Sequence, residues 1–148
     1  MSIEGDIRTA LLAMDAVAEF NGSAAADTMV IRYEYLEEDD EATDPHIVLD
    51  IDSDTPQNNL MGVGGLRYVD LTVTCRAMTM ATSKALAEAV RINGTDPGTG
   101  LAGYGTASTA FQAVLESEVR TTEPFDDNSG RMWRVTVQSY VVSYGEDV

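Results

Sequence analysis

The chain has 148 residues and carries 25 acidic against 9 basic side chains, which gives a formal net charge of −16. Its length predicts one domain, residues 1–148, large enough to bury about two-thirds of the unfolded chain's surface. So acidic a surface repels nucleic-acid phosphates and anionic lipids, which argues against binding to DNA, RNA or a membrane. No apolar run approaches the roughly 18 residues that span a bilayer, and no secretory signal is visible, so we expect a soluble protein made in a cytoplasm.

The basic residues are almost all arginines, with Lys84 as the single lysine. Many acids with almost no lysine are typical of proteins from salt-adapted organisms, but a GC-rich genome also favours arginine over lysine, so both interpretations stay open. Cys75 is the single cysteine, which excludes an intrachain disulfide. Because it falls on the apolar side of an alternating segment, we expect it to be a small core residue.

The first half of the chain predicts one helix and two strands. Apolar residues recur at three- and four-residue steps from Ser2 to Phe20, the spacing of an amphipathic helix. Alternation of apolar and polar residues predicts strands at 29–36 and 46–54. The loop between them, 37–45, opens with five consecutive acids and ends in a proline, so we expect a hairpin with a long solvated tip.

The clearest pattern lies between residues 66 and 94. After a predicted loop at 55–65, apolar and mostly polar residues alternate from Leu66 to Ala77, which predicts a strand with one buried face. The next segment, 80–92, has the spacing of a helix that Thr79 caps and Asn93 with Gly94 terminates.

Two more strands are predicted after a glycine-rich loop at 93–108. The first covers 111–121 and the second 131–144, with the turn 123–130 between them. Their predicted apolar rows are Phe111, Ala113, Leu115 and Val119 in the first strand and Trp133, Val135, Val137 and Val141 in the second.

This order of elements predicts an α+β fold, a mostly antiparallel sheet of about five strands with two helices packed on one face. The other face is then expected to be polar and either solvated or used as a subunit contact. Its predicted members are Arg32, Glu34, Asp50, Asp52, Asp70, Thr72, Glu116, Glu118 and Arg134.

The sequence predicts no catalytic, cofactor or metal site. His46 is the single histidine, which excludes histidine clusters and most catalytic triads. The stretch 98–103 matches G-x-G-x-x-G, but it follows a helix and precedes a strand, the reverse of a dinucleotide-binding turn. Asp50, Asp52 and Asp54 have the first spacings of a calcium loop, but the turn glycine and the bidentate glutamate are missing.

Four segments carry a resemblance to a known family. They are the helix opening at 3–8, the strand 67–75, the helix 81–90 and the closing strand 133–138. Their layout resembles the tail terminator or tail completion family of tailed bacteriophages and related archaeal viruses. The resemblance implies a non-enzymatic virion protein, assembled in the host cytoplasm, whose α+β subunits form a hexameric ring. Such rings cap the tail tube protein and join the tail to the head-tail connector protein.

An acidic channel suits this role, because it repels phosphate and lets DNA pass the lumen without specific binding. We therefore expect the acids of the loop and of strand 46–54 to contact partners or line the lumen: Glu37, Glu38, Asp39, Asp40, Glu41, Asp50, Asp52 and Asp54. Two alternatives stay open. One is a neck or head-completion connector protein, and the other is a small acidic ligand-binding domain or enzyme with a glycine-rich lid.

Overall fold

The structure is a computed structural model that describes residues 3–18, 31–33, 45–59, 62–92, 100–101, 111–124 and 132–145. For 53–59 and 62–66 only the backbone is described. The predicted acidic run 37–41 and almost all of the glycine-rich loop 93–108 lie outside the described residues.

The elements follow each other in the order helix, helix, three strands, helix, two strands. Their bounds are α1 Ile3–Ala13, α2 Asp15–Ala18, β1 Ile31–Tyr33, β2 His46–Asn59, β3 Gly62–Ala77, α3 Met80–Ile92, β4 Gln112–Pro124 and β5 Met132–Gly145. The predicted first helix is therefore interrupted at Met14, whose N–H donates to the carbonyl of Leu11 at 3.2 Å. The predicted bounds of α3 are confirmed, and its cap is present, since the N–H of Thr82 donates to Oγ1 of Thr79 at 3.2 Å.

Within the described residues, five strands form one sheet in the order β1-β2-β3-β5-β4. The pairs β2–β3, β3–β5 and β4–β5 are antiparallel, which confirms the α+β class and the mostly antiparallel sheet. The predicted hairpin of the first two strands is wrong, because β1 and β2 are parallel. Residues 34–45 separate them, about the length that a parallel crossover needs, and alternation alone does not distinguish the two directions.

The predicted loop at 55–65 is also wrong. β2 continues to Asn59 and β3 begins at Gly62, so the two strands form one long hairpin. The register shifts between Ile51 and Ser53 and again between Gln57 and Asn58. Polar residues, a proline and glycines broke the alternation here, because a strand with β-bulges does not keep a strict two-residue period.

The sheet has two faces that carry different side chains. We call the side that packs in the core the inner face and the other side the outer face. On β3 the inner face carries Val69, Leu71, Val73 and Cys75, each at most 1% exposed. These residues form one core cluster with Ile7 and Leu11 of α1 and with Leu86 and Val90 of α3. The predicted core role of Cys75 is confirmed.

The predicted apolar row of β5 is on the wrong face. Because Val73 pairs with Gln138 and Leu71 with Tyr140, the even-numbered residues of β5 share the inner face. That row is Thr136, Gln138, Tyr140 and Val142, each at most 1% exposed. The predicted row, Trp133, Val135, Val137 and Val141, therefore lies on the outer face. Counting apolar residues chose the wrong row, because the inner row buries polar groups in hydrogen bonds.

Candidate functional site

The two edge strands of the sheet differ in how they are covered. At β1, Nε of Arg8 in α1 donates to the carbonyl of Ile31 at 3.0 Å, and Nη1 of Arg32 donates to the same oxygen at 3.2 Å. The hydroxyl of Tyr33 donates to the carbonyl of Glu4 at 2.7 Å. Burial, and next the nearby charge of Glu4, raise the pKa of Tyr33 far above its usual value. Helix α1 therefore closes the β1 edge with hydrogen bonds.

The β4 edge is open over half its length. At its start Phe111 and Ala113 are buried, but every residue from Glu116 to Thr122 is exposed. Because successive residues of a strand point to opposite faces, both faces of this segment are accessible. Val114 is 65% exposed and Val119 58% exposed. An exposed edge strand that also carries solvent-exposed valines can pair with or pack against another protein chain.

A register shift between Leu115 and Ser117 gives the exposed segment its orientation. Before it, Ala113 and Leu115 pair with Val142 and Tyr140 and belong to the inner face. After it, the inner-face positions are taken by Glu118, Arg120 and Thr122, and the outer-face positions by Ser117, Val119 and Thr121.

Three predicted face assignments are wrong. The causes are the register shift after Leu115 and the fact that the even-numbered residues of β5 take the inner face. Val119 does not share a face with Phe111 and Ala113, because the shift moves it to the outer face. Glu118 and Arg134 are not on the polar outer face, because their partners Gln138 and Thr122 place them on the inner one.

A buried polar network fixes α3 to the sheet. The hydroxyl of Ser83 donates to the carbonyl of Cys75 at 2.9 Å. Its single proton is then used, so the hydroxyl of Thr136, also at 2.9 Å, donates to Ser83. Burial raises the pKa of the Cys75 thiol far above its usual value, which keeps the sulfur protonated and unreactive.

The network continues from α3 to the exposed edge through Gln138. Its Nε2 donates to the carbonyl of Ala87 at 3.0 Å and to Oε2 of Glu118 at 3.1 Å. Its Oε1 accepts from the hydroxyl of Tyr140 at 2.8 Å. Glu118 in turn accepts from Nη2 of Arg120 at 3.0 Å through its other oxygen. The side chain of Arg120 is thus connected to the protein interior by two consecutive hydrogen-bonded contacts.

The outer face is bridged at one end of the sheet. Arg76 of β3 reaches across β5 to Glu123 of β4, with Nη2 at 2.7 Å and Nε at 2.9 Å from the same carboxylate oxygen. The ring of His46 packs edge-on against Trp133, with 4.8 Å between centroids. Both rings are buried, so this end of the face is structural.

The acids of β2 and β3 lie on the outer face beyond this bridge. Asp50, Asp52 and Asp70 are exposed, and Oγ1 of Thr72 lies 3.4 Å from Oδ2 of Asp52. At the backbone level, the register shift after Ile51 pairs Asp54 with the inner-face residue Val69. Among the described residues no group of three or more His, Cys, Asp or Glu side chains is arranged to hold a metal ion.

The sequence pattern missed the Gln138 network and the proximity of Arg120 to Arg134. The one signal for the network was the row of bulky, hydrogen-bonding residues at even positions of β5, which the valines at odd positions concealed.

Comparison with known proteins leaves the family open. No protein-family model matches the chain, and no curated protein matches it. In the described part of the chain, no helix is long and apolar enough to cross a membrane.

Proposed function

We propose that the chain is a viral structural protein, a tail terminator whose copies form a ring that caps the tail tube and joins the tail to the head. The observation that carries this proposal is the exposed segment Glu116–Thr122 of β4. The α+β fold is also the one that the resemblance to tail terminators implies.

An edge strand is costly to leave open, since it offers unpaired backbone groups to any other chain. This protein closes one edge with Arg8 and leaves the other exposed, with Val114 and Val119 bare. Such a difference between the two edges suits a subunit that completes its structure by assembly.

A ring subunit needs contacts with its neighbours and with the structures above and below it. The exposed segment of β4 has two accessible faces, an uncharged one with Val119 and a charged one with Arg120. These two faces suit two different partners, the neighbouring copy and the tail tube or connector. The net charge of −16 suits a channel that DNA passes without binding.

The proposed location is the tail or neck of the virion, after assembly in the host cytoplasm. A neck or head-completion connector would use the same ring and differ only in the partner rings. A small acidic ligand-binding domain or enzyme would instead act as a monomer or small oligomer with a concave pocket. Solution mass separates this last class from the first two.

The test is the molar mass by light scattering, at physiological and at molar salt. We expect six copies of the 15.9 kDa chain, about 95 kDa, and negative-stain images with a central hole. Added salt should favour the ring, because the Debye length falls to about 3 Å at 1 M, which removes long-range repulsion between acidic subunits but screens charge pairs buried in a contact much less. A host that lives in high salt would supply this condition. A monomer at all concentrations and both salts would contradict the proposal.

A further inference from the structure

Two exposed arginines form a cationic surface on a strongly acidic protein. Arg120 of β4 pairs with Thr136, and Arg134 of β5 pairs with Thr122, so the two arginines are diagonal neighbours on the inner face. Such neighbours lie about 7–8 Å apart. Both arginines are exposed. Glu118 forms an ion pair with Arg120 and also accepts a hydrogen bond from Gln138, so it connects Arg120 to the buried network. We call Arg120 and Arg134 the arginine surface.

An acidic surface lies on the other face of the sheet, on the two neighbouring strands β2 and β3. It consists of Asp50, Asp52 and Asp70 on the outer face of β2 and β3. Arg32 of β1 lies beside it, since it pairs with Val48, so three acids face one arginine and the surface stays negative. We call these three aspartates the aspartate surface.

From this arrangement we propose that the arginine surface of one copy binds the aspartate surface of the next copy of this chain. The proposal rests on the proposed ring and names its subunit contact. The partner follows from charge complementarity: copies with a net charge of −16 repel each other, so they associate best where opposite charges meet.

The positions of the two surfaces also set the symmetry of the contact. One surface is on the inner face at β4 and β5, and the other is on the outer face at β2 and β3. A contact between them joins unlike surfaces and leaves one of each free on every pair. It is therefore heterologous, which is the kind of contact that closes into a ring when the rotation allows it. The sheets of neighbouring copies would partly overlap, and each copy would cover the β4 edge of its neighbour.

The orientation of Arg120 supports a specific contact. Its guanidinium is held by Glu118, which Gln138 holds in turn. A side chain that is already ordered loses less conformational entropy when it binds than a free one. The second arginine adds charge next to it, and together they match a pair of carboxylates.

Charge reversal tests this contact. The variant Arg120→Glu with Arg134→Glu should weaken each contact roughly tenfold or more, and so should Asp50→Arg with Asp52→Arg, because each places like charges in apposition. Both variants should stay folded by circular dichroism and sediment as monomers at concentrations where the unchanged chain forms the ring.

Mixing the two variants is the decisive step. In the mixture every contact can again join opposite charges, so a ring of alternating copies should form when the number of copies is even. A chain carrying all four reversals should also assemble alone. The control is Lys84→Glu with Arg91→Glu on α3, which makes the same change in net charge as Arg120→Glu with Arg134→Glu and should leave the ring intact.

The outcomes separate the contact from the ring. If the unchanged chain forms a ring and the reversed variants form it equally well, this contact is wrong and the ring stands. Loss of the ring in each variant without recovery in the mixture also overturns the contact. An unchanged chain that never assembles overturns both.

Discussion

The two edges of the sheet are treated in opposite ways. At β1 the carbonyl of Ile31 accepts hydrogen bonds from Arg8 and Arg32, and Tyr33 joins the strand to α1. At β4 every residue of the segment 116–122 is exposed, and its contacts with the rest of the protein include the pairing with β5 and the hydrogen bond that Gln138 donates to Glu118. The difference shows that this protein can close an edge when closure is needed. The open edge is the observation from which we propose a partner.

The open edge is nevertheless guarded against indiscriminate pairing. A β-bulge follows Leu115, Pro124 ends the strand, and charged side chains alternate along its inner face. These are the features by which natural sheets avoid aggregation. What they leave is a limited surface of valines on one side and arginines on the other, suited to chosen partners.

The largest effect is expected from Gln138→Leu, which removes the connection between α3 and the exposed edge. The carbonyl of Ala87 and the hydroxyl of Tyr140 would both lose their partner in the interior. Unsatisfied buried groups cost about 1–3 kcal/mol each, so we expect the free energy of unfolding to fall by about 2–4 kcal/mol. Urea unfolding measures it. Tyr140→Phe, which removes one hydrogen bond, is the matched control and should cost about 1 kcal/mol; equal costs for the two variants would contradict the network.

A smaller effect is expected from Arg8→Met, which keeps the apolar stem and removes the hydrogen bond that closes the β1 edge. Because Arg32 still donates to the carbonyl of Ile31, we expect a loss of about 1 kcal/mol. Urea unfolding and hydrogen exchange at 31–33 measure the change. Arg91→Met, in an exposed pair with Glu88, is the control and should stay within about 0.5 kcal/mol. Equal stability of both variants would mean that Arg8 does not close this edge.

Alkaline pH should destabilise the β1 edge, in addition to the core around Cys75 and Tyr140, where burial also raises the pKa of each group. The pKa of Tyr33 is raised by burial, so the folded chain holds this proton more tightly than the unfolded chain does. Its contribution to stability is complete below a pH of about 10, the ordinary pKa of tyrosine, and is lost as the pH rises above it. Thermal unfolding between pH 8 and 11 measures the decline. The stability of Tyr33→Phe should decline less steeply with pH than that of the unchanged chain. An equally steep decline in both proteins would contradict this assignment.

The smallest effect on stability, with a clear effect on assembly, is expected from Val114→Thr with Val119→Thr. Both side chains are already exposed, so the free energy of unfolding should change by no more than about 0.5 kcal/mol. If the valines contact the tail tube or connector, tail joining should drop while the ring persists. Electron microscopy of assembly mixtures would count joined tails, with Thr121→Ser on the same face as control. Normal joining would remove the valines from the proposed contacts.

The sequence pattern predicted the fold correctly where apolar residues kept a constant spacing along an element and where a capping residue marked the start of a helix. Helix α3 and the core row of β3 were predicted correctly, because Thr79 caps the helix and the apolar residues of β3 alternate without a break. Pattern failed where a bulge shifted the period, as at Leu115 and Ile51, and where polar residues are buried in hydrogen bonds, as at Gln138. The parallel pairing of β1 depends on the connection, which alternation does not describe.

The candidate site was less predictable than the fold. Asp50 and Asp52 were named as contact acids from sequence, but the arginines that we pair with them were assigned to the wrong face or not noticed. Which charges share a surface depends on strand order and register, since Arg120 and Arg134 are brought together only by the pairing of β4 with β5. The acids of the run 37–41 remain predicted partner contacts outside the described residues.

The most direct test of the account is hydrogen exchange of β4 in the assembled protein and in the same chain diluted to a monomer. We predict that the amides of 116–122 exchange markedly more slowly in the assembly, while those of 31–33, already covered by α1, are unchanged. An assembly in which 116–122 exchange as fast as in the monomer would contradict the claim that β4 is the contact strand.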